Sequence, residues 1–313
     1  MTTTTNRTSA EASASDAATK KRNLRKNAWA SRGLLLPALI FLILLTQIPF
    51  LVTIGFSLME WNLLYPADRG FTGLDNYQTA LTSGELWPSI RATVLITAFS
   101  VVLSLLLGLL FAVLLDRNLP GRAIARTLMI TPFLIMPAAA SLIWKYSMFD
   151  TNIGILNWVF KTLGLPVVAW STDYPMATVV IVLTWMFTPF MMLILLAGLQ
   201  GQSKESLEAA QVDGAGAWRT FTWITLPHLR MYIEIGTLLG SVIILQVFDP
   251  IAILTKGTGG TKTLAYLLYE RAFIGLNVGE AAAYGVVTVI LTIIVATIAL
   301  KTLFKVFMAG GSR

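Results

Sequence analysis

Long apolar stretches alternate with short polar segments along most of this chain. A membrane-spanning helix needs about 20 predominantly apolar residues, and six stretches of the 313-residue sequence reach that length. They are 33–58, 90–115, 124–147, 175–200, 231–255 and 281–303. The fifth is the least regular, because Gln246, Asp249 and Pro250 interrupt its far end. Since lipid offers no hydrogen-bond partners to open backbone groups, the pattern predicts an all-α, polytopic membrane bundle of about six transmembrane helices.

Composition supports this class and argues against an enzyme. Hydrophobic residues make up 56% of the chain and charged residues 12%, whereas a soluble domain has about 25% charged residues. The sequence contains one histidine and no cysteine, which excludes disulfides and thiolate metal sites. The predicted spans also contain no cluster of carboxylates, so no catalytic set is recognisable. We therefore predict a membrane protein that is not an enzyme and has no metal, cofactor or nucleic acid bound to this chain.

The distribution of positive charge predicts the orientation. If the N-terminus is cytoplasmic, 16 of the 23 Lys and Arg residues fall on the inner side and 7 on the outer side. The positive-inside rule then places both termini in the cytoplasm. Residues 1–32 are predicted to be a disordered basic tail, 33–307 the transmembrane domain and 308–313 a short cytoplasmic tail. The basic cluster 20–26 is interpreted as the flank that orients the first span.

The loop 201–230, between the fourth and fifth predicted spans, has clear helix signals. Ser203 suits an N-cap and acidic residues follow it, so a helix is predicted from there to Asp213. Gly214 allows a left-handed turn where this helix ends. A second amphipathic piece follows, and Leu226-Pro227 marks the start of the next span. The loop therefore predicts two short helices on the cytoplasmic side.

This loop resembles the EAA motif of permease subunits in binding-protein-dependent ABC importers. The motif is Glu-Ala-Ala, three residues, Gly, nine residues, Ile, any residue and Leu-Pro, and the chain matches every position. The resemblance implies the type I ABC importer permease fold and a coupling loop that contacts an ATPase subunit dimer, where ATP and Mg²⁺ are used. It also implies a second homologous permease and an external solute-binding protein. The residues so assigned to ATPase coupling are Glu208, Ala209, Ala210, Asp213, Gly214, Ile224, Leu226 and Pro227. An ordinary helix–turn–helix connector is the alternative.

A second resemblance concerns the substrate. Residues 248–251 read Phe-Asp-Pro-Ile and 254–257 read Leu-Thr-Lys-Gly, which is similar to the end of span five in maltose-type sugar permeases. The chain departs from that pattern because no proline follows the glycines. The stretch 258–285 looks most like permeases of sorbitol- and mannitol-type polyol importers. The resemblance implies a sugar or sugar alcohol, with an oligosaccharide or glycerol-phosphate type importer as the alternative.

Polar and aromatic groups in spans four and five suggest a solute path. Polar groups inside a membrane bundle are costly and often mark a pathway. A polyhydroxylated ligand needs apolar surfaces for its C–H faces and partners for its hydroxyls. The candidate pathway residues are Trp185, Thr188, Phe190, Gly240, Gln246 and Asp249. Packing or helix-capping roles are alternatives for several of them. An ion-coupled secondary transporter is a further alternative, but the ionisable mid-span residues it usually needs are mostly missing.

Overall fold

The computed structural model describes residues 36–117 and 120–310. Helix α1 up to Gly55 belongs to one compact unit, and the chain from Phe56 onward forms a second. The elements in chain order are α1 (Leu36–Ser57), β1 (Met59–Glu60), β2 (Gly70–Phe71), α2 (Asp75–Thr82), α3 (Leu86–Asp116), α4 (Arg122–Leu134), α5 (Pro137–Ile143), α6 (Ile155–Thr162), α7 (Trp170–Asp173), α8 (Pro175–Gln200), α9 (Lys204–Val212), α10 (Ala217–Thr220), α11 (Leu226–Leu245), α12 (Leu264–Tyr269) and α13 (Val278–Gly310). The π-helical turns are Trp144–Met148, Phe221–Thr225, Ile251–Thr255 and Glu270–Ile274.

The described residues confirm the predicted membrane bundle. Five helices are long and apolar enough to cross a membrane, and a sixth crossing is added if the bent pair α4–α5 counts as one. The first of them, α1, has a mean hydropathy of 2.4. Two strands, β1 and β2, pair antiparallel over two residues each. The predicted fourth span, 175–200, coincides with α8. The predicted tail 1–32 and residues 311–313 lie outside the described residues.

The predicted third span, 124–147, is sharply bent. Helices α4 and α5 meet at an angle of 102°. The backbone at Ile135 and Met136 is extended, with ψ of 135° and 133°. A residue that precedes proline is pushed away from the helical region, and Pro137 itself suits the first turn of a new helix. The chain therefore ends one helix and begins another at this point.

The predicted fifth span, 231–255, is shifted along the chain. Helix α11 covers Leu226–Leu245 and ends at Gln246, and a separate π-helical turn, Ile251–Thr255, follows. Pro250 stands just before that turn, where its missing N–H costs no helical hydrogen bond. Helices α10 and α11 are continuous through the turn Phe221–Thr225, so one apolar helix of 29 residues runs from Ala217 to Leu245.

Small side chains on one face of α3 let its backbone approach α8. They repeat every four residues, and all are buried: Ser100, Ser104, Gly108 and Ala112. The Ser104 hydroxyl lies 3.4 Å from the carbonyl oxygen of Thr184, to which it donates. A Cβ atom on Gly108 would lie 2.7 Å from the Cβ of Met191. Membrane helices associate largely through such close van der Waals packing and interhelical hydrogen bonds.

These contacts fix the direction of the helices. Position 104 meets 184 and position 108 meets 191, so α3 and α8 run parallel. Helix α11 runs antiparallel to α8, because Gly198 lies against Tyr232 while Met191 lies against Gly240. Two parallel spans require the intervening chain to cross back, which is the path that α4 and α5 provide. The loop between α8 and α11 thus lies at one end of these helices, and the starts of α3, α8 and α13 lie at the other, called the far end below.

The close approach at Gly108 is testable by substitution. Gly108→Leu should lower the stability by about 3 kcal/mol, because overpacking typically costs about 1–3 kcal/mol and backbone atoms of Met192 block relaxation here. The unfolding midpoint in detergent, followed by circular dichroism, measures the change. Val102→Phe also enlarges a side chain of α3, but on the exposed face, where Val102 is 53% exposed, and should leave the midpoint unchanged. Equal midpoints for the two variants would contradict the packing described.

Candidate coupling site and solute path

The hairpin (residues 203–225) joins α8 to α11 and begins with a well-capped helix. The Ser203 hydroxyl accepts a hydrogen bond from the backbone N–H of Ser206, at 3.3 Å, where α9 starts. Glu205 lies in the first turn, where a negative charge interacts favourably with the free N–H groups. The predicted helix and its N-cap are therefore confirmed.

Helix α9 ends in a fully hydrogen-bonded turn. Gly214 has a φ of 75°, in the left-handed region. Its N–H donates to the carbonyl oxygen of Gln211 at 3.0 Å, and the N–H of Ala215 donates to Ala210 at 2.9 Å. This is the Schellman arrangement, which satisfies the last carbonyl groups of a helix. A Cβ atom on Gly214 would meet no atom within 4 Å, so the glycine serves the backbone conformation and not a lack of space.

The hairpin exposes both charged and large apolar side chains. Among the motif residues, Ala210 is buried, Ile224 and Leu226 are half-buried, and the exposed ones are Glu208, Ala209, Asp213, Gly214 and Pro227. Val212, Trp218 and Trp223 are 89%, 77% and 78% exposed. Exposed apolar groups close together mark contact surfaces in many proteins. The sequence pattern was not interpreted as placing Val212 or Trp223 on a contact surface. Their apolar side chains in a polar connecting segment were the signal that indicates such a surface.

Motif residues surround a concavity on the hairpin. A cavity of about 460 Å³ is lined by Ala209, Ala210, Asp213 and Ile224, with Arg219 and Trp223 completing its wall. Motif residues that are distant in the sequence are therefore close in space, since residues from α9 and from the turn Phe221–Thr225 meet across this cavity. The arrangement offers another protein a small, mostly apolar recess with charged groups beside it.

The helices that flank the hairpin, α8 and α11, contact each other next to it. The ring nitrogen Nε2 of His228 lies 3.0 Å from the carbonyl oxygen of Gly198. A Cβ atom on Gly198 would lie 2.6 Å from the ring of Tyr232, so only glycine permits this contact. Leu229 is fully buried beside them. His228 itself is half-buried. The end of α8 and the start of α11 are therefore in direct contact beside the hairpin.

Three predicted pathway residues lie on α8 among other helices. Trp185 and Thr188 line a cavity of about 770 Å³ between α3, α4 and α8. The Trp185 ring meets the ring of Trp144 edge-on, with centroids 5.6 Å apart. Phe190 stacks on Phe133 of α4 at 5.3 Å. All three side chains thus have packing contacts, and their role in a solute path stays a prediction.

The other three predicted pathway residues lie on or after α11. Gly240 is buried, and a side chain there would overlap Met191, so its packing against α8 accounts for the glycine. Gln246 is exposed and donates to the carbonyl oxygen of Val242 at 3.2 Å. Asp249 is half-buried where the next helical turn begins. The residues that line the Trp185 cavity do not include Gln246 or Asp249. The six candidates do not surround one common cavity in the described part of the chain.

A network of ion pairs at the far end was not predicted. Lys262 lies 2.6 Å from Glu270 and 3.7 Å from Glu85, Arg271 pairs with Glu85, and Arg271 Nε lies 3.5 Å from Glu280. Burial tends to lower the pKa of Lys262, but the hydrogen bond to Glu270 and the charges of Glu270 and Glu85 raise that pKa above its ordinary value. The network ties the start of α3 to α12 and α13.

Comparisons with known proteins agree with this architecture. Residues 104–309 match the family described as binding-protein-dependent transport system inner membrane component. The probable ABC transporter permease protein y4oQ of Sinorhizobium fredii is 36% identical over 274 residues, which cover 86% of this chain and 88% of that protein. The trehalose transport system permease protein SugA of Mycobacterium tuberculosis is 35% identical over 279 residues, 89% of each chain.

A solved structure shares the fold. In the crystal structure of a bacterial ABC transporter involved in import of the acidic polysaccharide alginate, one chain superposes with a TM-score of 0.74 at 21% identity, covering 90% of this chain and 96% of that one. Together with the family match over residues 104–309, this identifies the bundle as an ABC transporter permease fold. The chain belongs to the family of inner membrane components of binding-protein-dependent transport systems.

Proposed function

We propose that this chain is the permease subunit of an ATP-driven importer that carries a sugar or sugar alcohol across the cytoplasmic membrane. The observation that carries the proposal is the structure of the hairpin. It exposes motif residues around one recess, and the helices that flank it, α8 and α11, are joined by the contact of His228 with Gly198. A surface that is open to a partner and rigidly connected to two spans is what transmission of force requires. The family membership supports the same role.

A separate pair of ATPase subunits, using ATP and Mg²⁺, would hold the hairpin from the cytoplasm. Glu208 and Asp213 offer charge to basic groups of the ATPase, and Val212 and Trp223 offer apolar area. The second half of the hairpin, from Ala217 onward, belongs to the same continuous helix as α11. Motion of this half would therefore pass directly into span five. The contact between Gly198 and Tyr232 carries the same motion into α8. ATP-driven closure would then alternate access to the solute path between the two membrane faces.

The proposed orientation places the hairpin and both termini in the cytoplasm and the far end outside. About six spans are too few to enclose a sugar path, so a second, similar permease subunit would complete it. An external solute-binding protein would deliver the solute at the far end. The pathway residues proposed are Trp185, Thr188, Phe190, Gly240, Gln246 and Asp249, of which the exposed Gln246 and the half-buried Asp249 follow the end of α11.

Carbohydrate is the substrate class best supported. One relative is named for trehalose transport, and the structural neighbour is named for alginate import. Within this class, the finer proposal is a polyol such as sorbitol or mannitol, which rests on the sequence of residues 258–285. An oligosaccharide or glycerol-phosphate type solute is the alternative. The sparse ionisable residues within the spans argue for ATP, not an ion gradient, as the energy source.

Reversing one charge in the hairpin tests the coupling role. Glu208→Lys should leave membrane insertion intact and reduce ATP-dependent uptake by more than about tenfold, equivalent to about 1.4 kcal/mol of contact energy. Lys204→Glu reverses an exposed charge in the same helix but outside the motif, adds a negative charge that the first turn of α9 accommodates, and should retain most of the uptake. Uptake by cells expressing each variant, normalised to the amount in the membrane, is the measurement. Normal uptake by the Glu208 variant would contradict coupling through this helix.

Purification tests the proposed assembly and substrate class. Extraction in mild detergent should yield a complex that contains an ATPase and a second permease.

In vesicles, that complex with its binding protein should import labelled sorbitol or trehalose when ATP is supplied. This import should continue after proton and sodium gradients are collapsed. Sorbitol import supports the polyol proposal, and import of trehalose alone contradicts it. An active monomer, or uptake that requires an ion gradient without ATP, would contradict the importer.

A further inference from the structure

Four aromatic rings form a continuous series near the far end. The series, called the aromatic ladder below, consists of Phe248, Tyr266, Tyr269 and Phe273. Phe248 stacks on Tyr266 with centroids 6.1 Å apart and an interplanar angle of 19°. Phe248 also lies 4.8 Å from Tyr269, and Tyr269 stacks on Phe273 at 5.4 Å with an angle of 30°. Tyr266, Tyr269 and Phe273 recur at helical spacing along α12 and the turn Glu270–Ile274, so they share one side of it.

The ladder runs from the interior to the surface. Tyr266 is 7% exposed, Tyr269 is half-buried and Phe273 is 70% exposed. Phe248, which is half-buried and stacks on Tyr266, stands between Gln246 and Asp249 in the sequence, the polar residues that follow α11. An aromatic ring used only for packing would be expected at the buried end. Exposure of the outermost ring, while its inner face stacks on Tyr269, leaves an aromatic surface open to a ligand.

Polar groups accompany the ladder along its length. Glu270 lies between Tyr269 and Phe273 in the sequence and holds Lys262 at 2.6 Å. Gln246 and the half-buried Asp249 lie at the other end. A lipid chain gains nothing from carboxylate, ammonium and amide groups. A carbohydrate uses both kinds of surface, because its C–H faces pack on aromatic rings while its hydroxyls need hydrogen-bond partners.

We infer that the aromatic ladder is a carbohydrate-binding track, along which the solute moves from the far end to the segment that contains Gln246 and Asp249. This inference rests on the proposed function and deepens it by naming contacts. Phe273 would meet the solute first, Tyr269 would carry it inward, and Glu270 would accept hydrogen bonds from its hydroxyls. The deeply buried Tyr266 supports the other rings from behind.

Substitution within the assembled importer tests the track. Phe273→Ala and Tyr269→Ala should each reduce import of labelled sorbitol or trehalose, whichever the wild-type complex carries, by about tenfold at saturating loaded binding protein. ATP hydrolysis stimulated by the binding protein should stay unchanged, so that the number of solute molecules imported per ATP falls. Tyr269→Phe retains the ring and should retain import. Ile274→Ala alters the adjacent side chain, which is 62% exposed and outside the ladder, and should behave as wild type.

A chemical readout separates this inference from the proposed function. The sequence contains no cysteine, so Phe273→Cys introduces the sole thiol of this subunit. Sorbitol or trehalose at high concentration should slow its reaction with a water-soluble maleimide, and should not slow reaction of Ile274→Cys. Protection without ATP-driven import would support the track and overturn the importer. Import without protection, or import per ATP unchanged by the alanine variants, would overturn the track. A thiol that is blocked equally with and without sugar would assign the surface to a lipid or a partner subunit and also overturn it.

Discussion

The close packing of α3, α8 and α11 around Met191 is the contact on which the rest of the structure depends. Glycines on two different helices, Gly108 and Gly240, leave room for its side chain, and a Cβ on either would overlap it. In lipid, no hydrophobic force drives helices together, so contact between backbones must supply much of the association energy. The resulting parallel pair α3 and α8, with α11 antiparallel, decides which loops meet. The hairpin falls at one end and the ion-pair network with the aromatic ladder at the other.

The hairpin is held by hydrogen bonds within it and by contacts between the helices that flank it. Both ends of α9 are hydrogen-bonded, at Ser203 and at the left-handed Gly214, so the helix is held as a rigid piece. The second half of the hairpin, from Ala217 onward, continues without interruption into α11. The contact of His228 with Gly198 then joins the two spans that the hairpin connects. At the far end, Glu85 and Arg271 hold α3 against the α12–α13 segment. Under the proposed function, these contacts would pass a displacement of the hairpin to the groups at the far end.

Local signals made the hairpin and α8 predictable. Pro175 at the first helical position marks the start of α8. The residues that cap α9 form hydrogen bonds with groups only a few residues away in the sequence. The bend between α4 and α5 was harder, because Pro137 is visible in the sequence while its 102° angle depends on how both helices pack. Helix α11 begins earlier than its apolar pattern suggested, because the turn Phe221–Thr225 extends the helix through polar residues.

The residues of the proposed solute path were the hardest feature of the structure to predict from the sequence. Which face of α8 or α11 lines a path depends on the neighbouring helices, so Trp185 and Gln246 could not be placed from periodicity. Contacts between distant residues, such as Glu85 with Arg271, leave no trace in local sequence. The aromatic ladder likewise requires Phe248 to meet α12 in space.

Crosslinking from the tip of the hairpin tests the central claim most directly. Val212 is 89% exposed, and Val212→Cys provides a unique thiol in this subunit for a short bifunctional reagent. The account predicts a crosslink in intact membranes to a separate nucleotide-hydrolysing subunit, with a yield that changes when ATP is bound. A thiol that is labelled only from the external side of the membrane, or that never crosslinks to such a subunit, would contradict it.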